Sequence, residues 1–164
     1  MGASRLAMKL YLIRHAIALE AAPGQTDDER PLSEEGIQKF TEVVRGLKRL
    51  GVRLDRLYHS PKLRAVQTAE LLVPLLEGQT EVTPYLAAEP SMALLETLQG
   101  SSVALVGHEP WIGELCAWLV TGRQEGRAFP FKKGGVALLE GLPQPGQMWL
   151  RGFWAPRLWR RLGA

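Results

Sequence analysis

Two short apolar runs constrain this chain more than anything else in it: Lys9-Leu10-Tyr11-Leu12-Ile13 near the start and Val103-Ala104-Leu105-Val106 far downstream. Strands that read as continuous rather than alternating hydrophobic segments belong in a parallel sheet covered on both faces by helices. Each run ends in a short turn that carries a histidine, Arg14-His15 after the first and Gly107-His108 after the second. Parallel α/β sheets place ligands outside the carboxyl ends of their strands, so these two histidines can meet although most of the chain separates them.

Between the two runs the sequence alternates helical and strand patterns. Ser33 is a good N-cap, Glu34 and Glu35 suit a helix start, and Leu32 can staple onto Ile37. Ile37, Phe40, Val44, Leu47 and Leu50 follow helical spacing, with Gly51 as the stop. A second strand over Leu54 to Tyr58 leads to His59-Ser60-Pro61, where Ser60 is expected to cap a helix whose early residue Arg64 falls on the side an anion would occupy. That helix is expected to end near Pro74 to Gly78. Glu81 to Thr83 reads as a weaker strand and Ser91 to Leu98 as a short helix. Trp111, Ile112, Leu115, Trp118 and Leu119 form a helical face closed by Gly122. Val136 to Leu139 and Met148 to Phe153 read as a hairpin. The fold class is therefore α/β, a three-layer sandwich with a mostly parallel central sheet and an antiparallel edge. Residues 8–164 read as a single domain and residues 1–7 as a flexible leader.

Composition narrows the function classes. With 20 basic against 17 acidic residues and no long run of one sign, the net charge of +3 favours anionic ligands slightly but is no nucleic-acid footprint. The densest basic cluster, Arg157, Arg160 and Arg161 around Trp159, can cover apolar surface with its stems or touch an acidic partner. Cys116 is the single cysteine, which excludes an intrachain disulfide and reads as a buried inert thiol. No segment approaches the roughly 18 apolar residues of a membrane span, and Arg14 interrupts the first apolar run too early for a signal peptide. A cytoplasmic protein without membrane or nucleic-acid partners is expected, and the oligomeric state is left open.

Three histidines invite a zinc reading, but there is no His-x-x-x-His pair and no soft ligand beside any of them. His59 reads as a satisfied structural residue. His15 and His108 differ because each directly follows a strong strand. A neutral imidazole is a nitrogen nucleophile, and an arginine supplies a fork of donors that matches phosphoryl oxygens. Arg14, Arg30 and Arg64 all lie in segments that can reach the strand ends. By composition alone three surface arginines need no such role.

The motifs Leu12-Ile13-Arg14-His15-Ala16, Arg30-Pro31-Leu32-Ser33-Glu34-Glu35-Gly36, Ser60-Pro61-Lys62-Leu63-Arg64-Ala65-Val66-Gln67-Thr68-Ala69 and Val106-Gly107-His108-Glu109-Pro110 occur in the order seen in the histidine phosphatase superfamily. The chain resembles the short phosphohistidine phosphatase branch of that family from about residue 9 to residue 153. Ala16 stands where many members have glycine, a replacement common in this branch. The resemblance implies that His15 is a nucleophile forming a transient phosphohistidine, that Arg14 and Arg64 clamp the phosphoryl oxygens, that His108 donates a further hydrogen bond, and that Arg30 lines the pocket. It implies no cofactor and no metal. Relatives that hydrolyse phosphate esters use a carboxylic acid after the third strand, for which Glu89 is the candidate here; an ordinary loop carboxylate is the alternative.

Only about 35 residues separate Ala69 from Val103, too few for a large lid, so an open site is expected. The leading expectation is a metal-independent phosphatase acting on protein phosphohistidine through a covalent His15 intermediate. The rivals are a small phosphate ester phosphatase using Glu89 as acid and a noncatalytic phosphate-binding module.

Overall fold

The computed structural model describes residues 6–162. Its centre is a six-stranded sheet in the order β3-β2-β4-β1-β5-β6, with β1 Met8–Arg14, β2 Arg56–His59, β3 Thr80–Val82, β4 Ser102–Gly107, β5 Val136–Gly141 and β6 Met148–Trp154. β1, β4, β2 and β3 pair in parallel, while β5 and β6 add an antiparallel hairpin beside β1. Of the expected leader, residues 1–5 lie outside the described residues, and Leu6 and Ala7 are exposed ahead of β1.

The continuous apolar runs explain the layering. Leu10 and Leu12 of β1, with Val103 and Leu105 of β4, enter one core, where α3 (Met92–Thr97) contributes Leu94 and Leu95 and α4 (Trp111–Thr121) contributes Ile112, Leu115 and Leu119. Tyr11 and Ile13, with Ala104 and Val106, enter the other core, against α1 (Glu34–Arg49), α2 (Leu63–Leu72) and α5 (Pro156–Arg161). Neighbouring residues on a strand point to opposite faces, so each run must be apolar throughout to serve both cores. Cys116 is fully buried, and burial pushes its thiol up to about 12. Among the described residues no helix is long and apolar enough to cross a membrane.

The cap on α1 is the expected one: Ser33 accepts from Gly36 N at 2.9 Å. Its buried face is turned from the expected one, however, since Ile37 and Leu50 are 41% and 60% exposed. The cause is Gly36, which is pressed onto the chain ahead of it; a Cβ there would collide with the carbonyl oxygen of Ile17. The helix therefore buries Gly36, Phe40, Val43, Val44 and Leu47, and Leu32 goes into the core without Ile37 as a staple. The second expected cap also differs: α2 starts at Leu63 after Lys62, which leaves Ser60 to other partners. The C-terminal basic cluster forms α5, anchored by Trp159, whose ring packs where a side chain on Gly46 of α1 would be.

Candidate active site

β1 and β4 are hydrogen-bonded neighbours with Arg14 in register with Gly107, so their carboxyl ends release His15 and His108 side by side. His15 N–H donates to Gly107 O at 3.0 Å, and the two imidazoles lie 5.1 Å apart between ring centroids. Both are buried, 6% and 4% exposed. The next strand, β2, delivers Ser60 to the same edge, where its Oγ lies 2.7 Å from His108 Nε2.

The ring orientation of His15 is fixed locally. Its Nδ1 lies 2.7 Å from Ala16 O, and a carbonyl only accepts. Nδ1 therefore carries the hydrogen and Nε2 keeps its lone pair. Ala16 N–H in turn donates to Thr68 Oγ1 at 3.0 Å, and that hydroxyl donates to Arg64 O at 2.7 Å. Helix α2 thus ties down the turn that carries the His15 ring.

Arg14 and Arg64 are each held by one edge. Arg14 Nη1 donates to Phe131 O at 2.7 Å, and Phe131 N–H is itself bound by Glu109 Oε2 at 3.1 Å. Arg64 donates from Nη1 to Asp27 O at 2.8 Å and from Nη2 to Asp27 Oδ2 at 3.0 Å. Asp27 also receives Arg30 Nη1 at 3.1 Å, while Arg30 Nε donates to Leu19 O at 2.8 Å. Hydrogen bonds from Arg30 and Arg64 hold the Asp27 carboxyl down at about 2.

What these bonds leave over defines the chemistry. Arg14 Nε, Arg64 Nε and His108 Nδ1 are buried and have no hydrogen-bond partner. Ser60 Oγ accepts from Lys62 N at 3.2 Å and keeps both its hydrogen and a second lone pair for His108 Nε2. Orphaned buried N–H groups are rare in folded proteins. The two guanidinium N–H groups, with His108 beside His15, make a receptor for an oxyanion. Burial, reinforced by Arg64, Arg14 and Lys133 and opposed by the Ala16 hydrogen bond, lowers His15 to about 4. Burial and the neighbouring His15, Arg64 and Lys62 lower His108 to about 3. Both rings are neutral at physiological pH.

The remaining candidates stand apart from this cluster. Glu89 is exposed in the loop between the 3-10 helix Pro84–Ala87 and α3. Its neighbours Ala88 and Pro90 line a small hollow with His108, but no hydrogen bond or ion pair of Glu89 reaches His15, Arg14 or Arg64. His59 is buried with Nδ1 2.9 Å from Ser60 O, a satisfied histidine. Among the described residues no three His, Cys, Asp or Glu side chains are grouped to hold a metal. Sequence reasoning missed Asp27 and misread Ser60. Only the folded loop brings Asp27 to Arg64; Ser60 had a visible signal, a hydroxyl directly after a strand that ends at the same sheet edge.

With this geometry in place, comparison with known proteins assigns the class. Residues 10–92 match the model of the histidine phosphatase superfamily, branch 1, and the chain belongs to that family of phosphatases. It is 34% identical over 137 residues to an uncharacterized protein of Picosynechococcus sp., covering 79% of this chain and 82% of the relative. It is 33% identical over 125 residues to phosphohistidine phosphatase SixA of Escherichia coli, covering 70% and 76% of the two chains. The structure of the protein histidine phosphatase SixA complexed with tungstate superimposes with a TM-score of 0.76 at 26% identity, covering 92% of this chain and 99% of the other. The fold is also that of a phosphoserine phosphatase from Entamoeba histolytica, with a TM-score of 0.64 at 19% identity, covering 89% and 96% of the chains.

Proposed function

We propose that the protein is a metal-independent phosphatase of protein phosphohistidine that works through a covalent intermediate on His15. The observation that carries the reading is the set of three unpartnered buried nitrogens, Arg14 Nε, Arg64 Nε and His108 Nδ1, beside an imidazole whose Nδ1 is engaged by Ala16 O. In this reading the substrate phosphoryl oxygens accept from those nitrogens, with the His108 ring hydrogen on Nδ1, and His15 Nε2 attacks phosphorus in line with the leaving group. The P–N bond to the substrate imidazole breaks, and the electron pair returns to that ring, which takes a proton as it leaves. Water then attacks phospho-His15 and releases inorganic phosphate, restoring the lone pair on Nε2. Phosphoryl transfer asks mainly for positioning and charge stabilisation, and fixed guanidinium and imidazole donors supply both without a metal ion.

Support for the phosphohistidine substrate comes from the leaving group and from the relatives named SixA. An imidazole departs readily, whereas an alkoxide needs an acid in place, and Glu89 is exposed and untied to the cluster. The test is a panel: a phosphohistidine peptide, a phosphoserine peptide, and sugar and nucleotide phosphates, each assayed with and without chelator. The expected result is preference for phosphohistidine, insensitive to chelator. Preference for a metabolite ester would overturn it.

A further inference from the structure

A basic groove opens beside the reaction site. With a volume of about 550 Å³, it runs from Arg14 and Ala16 toward α5. Its lining includes the apolar Ile17, Phe40 and Pro156, and its charged lining residues other than Arg14 are all cationic: Lys39, Lys132, Lys133, Arg157 and Arg160. Lys39 pairs with Glu35 at 2.6 Å and Arg160 approaches Glu42 at 3.9 Å. Lys132, Lys133 and Arg157 are exposed and form no ion pair with a described acidic residue.

This groove is physically continuous with the reaction site. Gly134 N–H, directly after Lys133, donates to both Arg14 O and His15 O, at 3.1 and 3.0 Å. Beyond Glu109 the sign reverses: a hollow of about 920 Å³ is lined by Glu109, Glu114 and Glu125, with Arg127 as its one cationic lining residue. A bound chain therefore meets positive charge on the α5 side and an acidic excess on the Glu109 side.

We propose that the groove binds an acidic stretch of the protein substrate next to its phosphorylated side chain, an inference that rests on the protein-substrate reading above. The cations stand on three separate elements, α1, the 132–133 loop and α5, among apolar lining residues. Exposed cations spread along a groove suit carboxylates spaced along a chain with apolar side chains between them. A compact polyphosphate is better met by buried, converging guanidinium groups. The docked α5 thus brings the C-terminal basic cluster to the substrate, since Trp159 anchors the helix while Arg157 and Arg160 line the groove.

The test uses the full chain and three substrates: phosphoramidate, a phosphohistidine peptide with Glu-rich flanks, and the same peptide with Lys-rich flanks. The ratio of kcat/KM for the acidic over the basic peptide should be on the order of tenfold or more at low salt and shrink as salt rises. Lys132→Glu with Arg157→Glu should invert that preference, and Lys132→Gln with Arg157→Gln should reduce it. Equal rates for the two peptides, or no response to either double variant, would overturn the inference. The bond chemistry is tested separately: failure on every P–N substrate with turnover of phosphoserine peptides would overturn the phosphohistidine reading. An acidic-flank preference on those phosphoserine peptides would still support the groove.

Discussion

In the proposed mechanism His15 attacks only while its ring is neutral, and the fold secures neutrality by burying the ring beside Arg64, Arg14 and Lys133, which brings it from 6.5 to about 4. An NMR titration of the free protein should therefore show His15 titrating well below pH 5; a midpoint near 6.5 would contradict the described environment. Asp27 makes a second prediction at this scale. Its carboxylate offsets part of the positive charge of Arg64 and Arg30, so Asp27→Asn should bind tungstate several-fold more tightly, worth about 1 kcal/mol for so exposed a group and fading with salt. Unchanged or weaker binding would mean that Asp27 chiefly orients Arg64. Glu89 can be sorted by leaving group: Glu89→Gln should leave phosphohistidine turnover unchanged, a selective loss on an alkyl phosphate would show that it serves as an acid there, and equal losses would indicate a positioning role. The sequence made Arg14, His15, Arg64 and His108 legible because strand ends and a helix start have fixed places in an α/β sheet. Asp27 was not legible, since its partner Arg64 is reached through the path of an irregular loop and no local spacing encodes that path.

At the scale of elements, β1 and β4 were readable because a strand covered on both faces has to be apolar throughout. The short parallel edge strand β3, all three residues exposed, gave only a weak signal. Helix α1 shows where periodicity stops short: Ile37 and Leu50 fit the spacing, yet close approach to Ile17 at Gly36 sets the rotation of the helix. Helix α5 is held by tertiary contact more than by propensity, since it has six residues and one buried side chain, Trp159. Trp159→Ala should cost about 3 kcal/mol or more, as large-to-small changes at buried aromatic positions do. Urea unfolding should show the lowered midpoint, and the KM for a small phosphoryl substrate should stay near the wild-type value. A midpoint unchanged from wild type would contradict the docking of α5 on α1.

For the whole molecule, the site places a burden on stability. His15 and His108 are buried neutral with folded values of about 4 and 3, against 6.5 for the free side chain. Below pH 6.5 the unfolded chain takes up protons that the folded chain refuses, so stability falls as pH drops toward 4. The slope is at most about 1.4 kcal/mol per pH unit for each ring. Above pH 6.5 these two groups add no pH dependence. Calorimetry should show Tm falling between pH 7 and pH 4.5, less steeply in His15→Ala; a flat wild-type profile would contradict the account. The same neutral ring is the proposed nucleophile, so the central claim has a direct test. The wild-type protein is mixed with a phosphohistidine peptide labelled in the phosphoryl group, quenched in alkali to preserve a P–N bond, digested and mapped. The account predicts label on His15 and loss of both label and turnover in His15→Ala. Robust turnover by His15→Ala, or label recovered consistently on another residue, would contradict it.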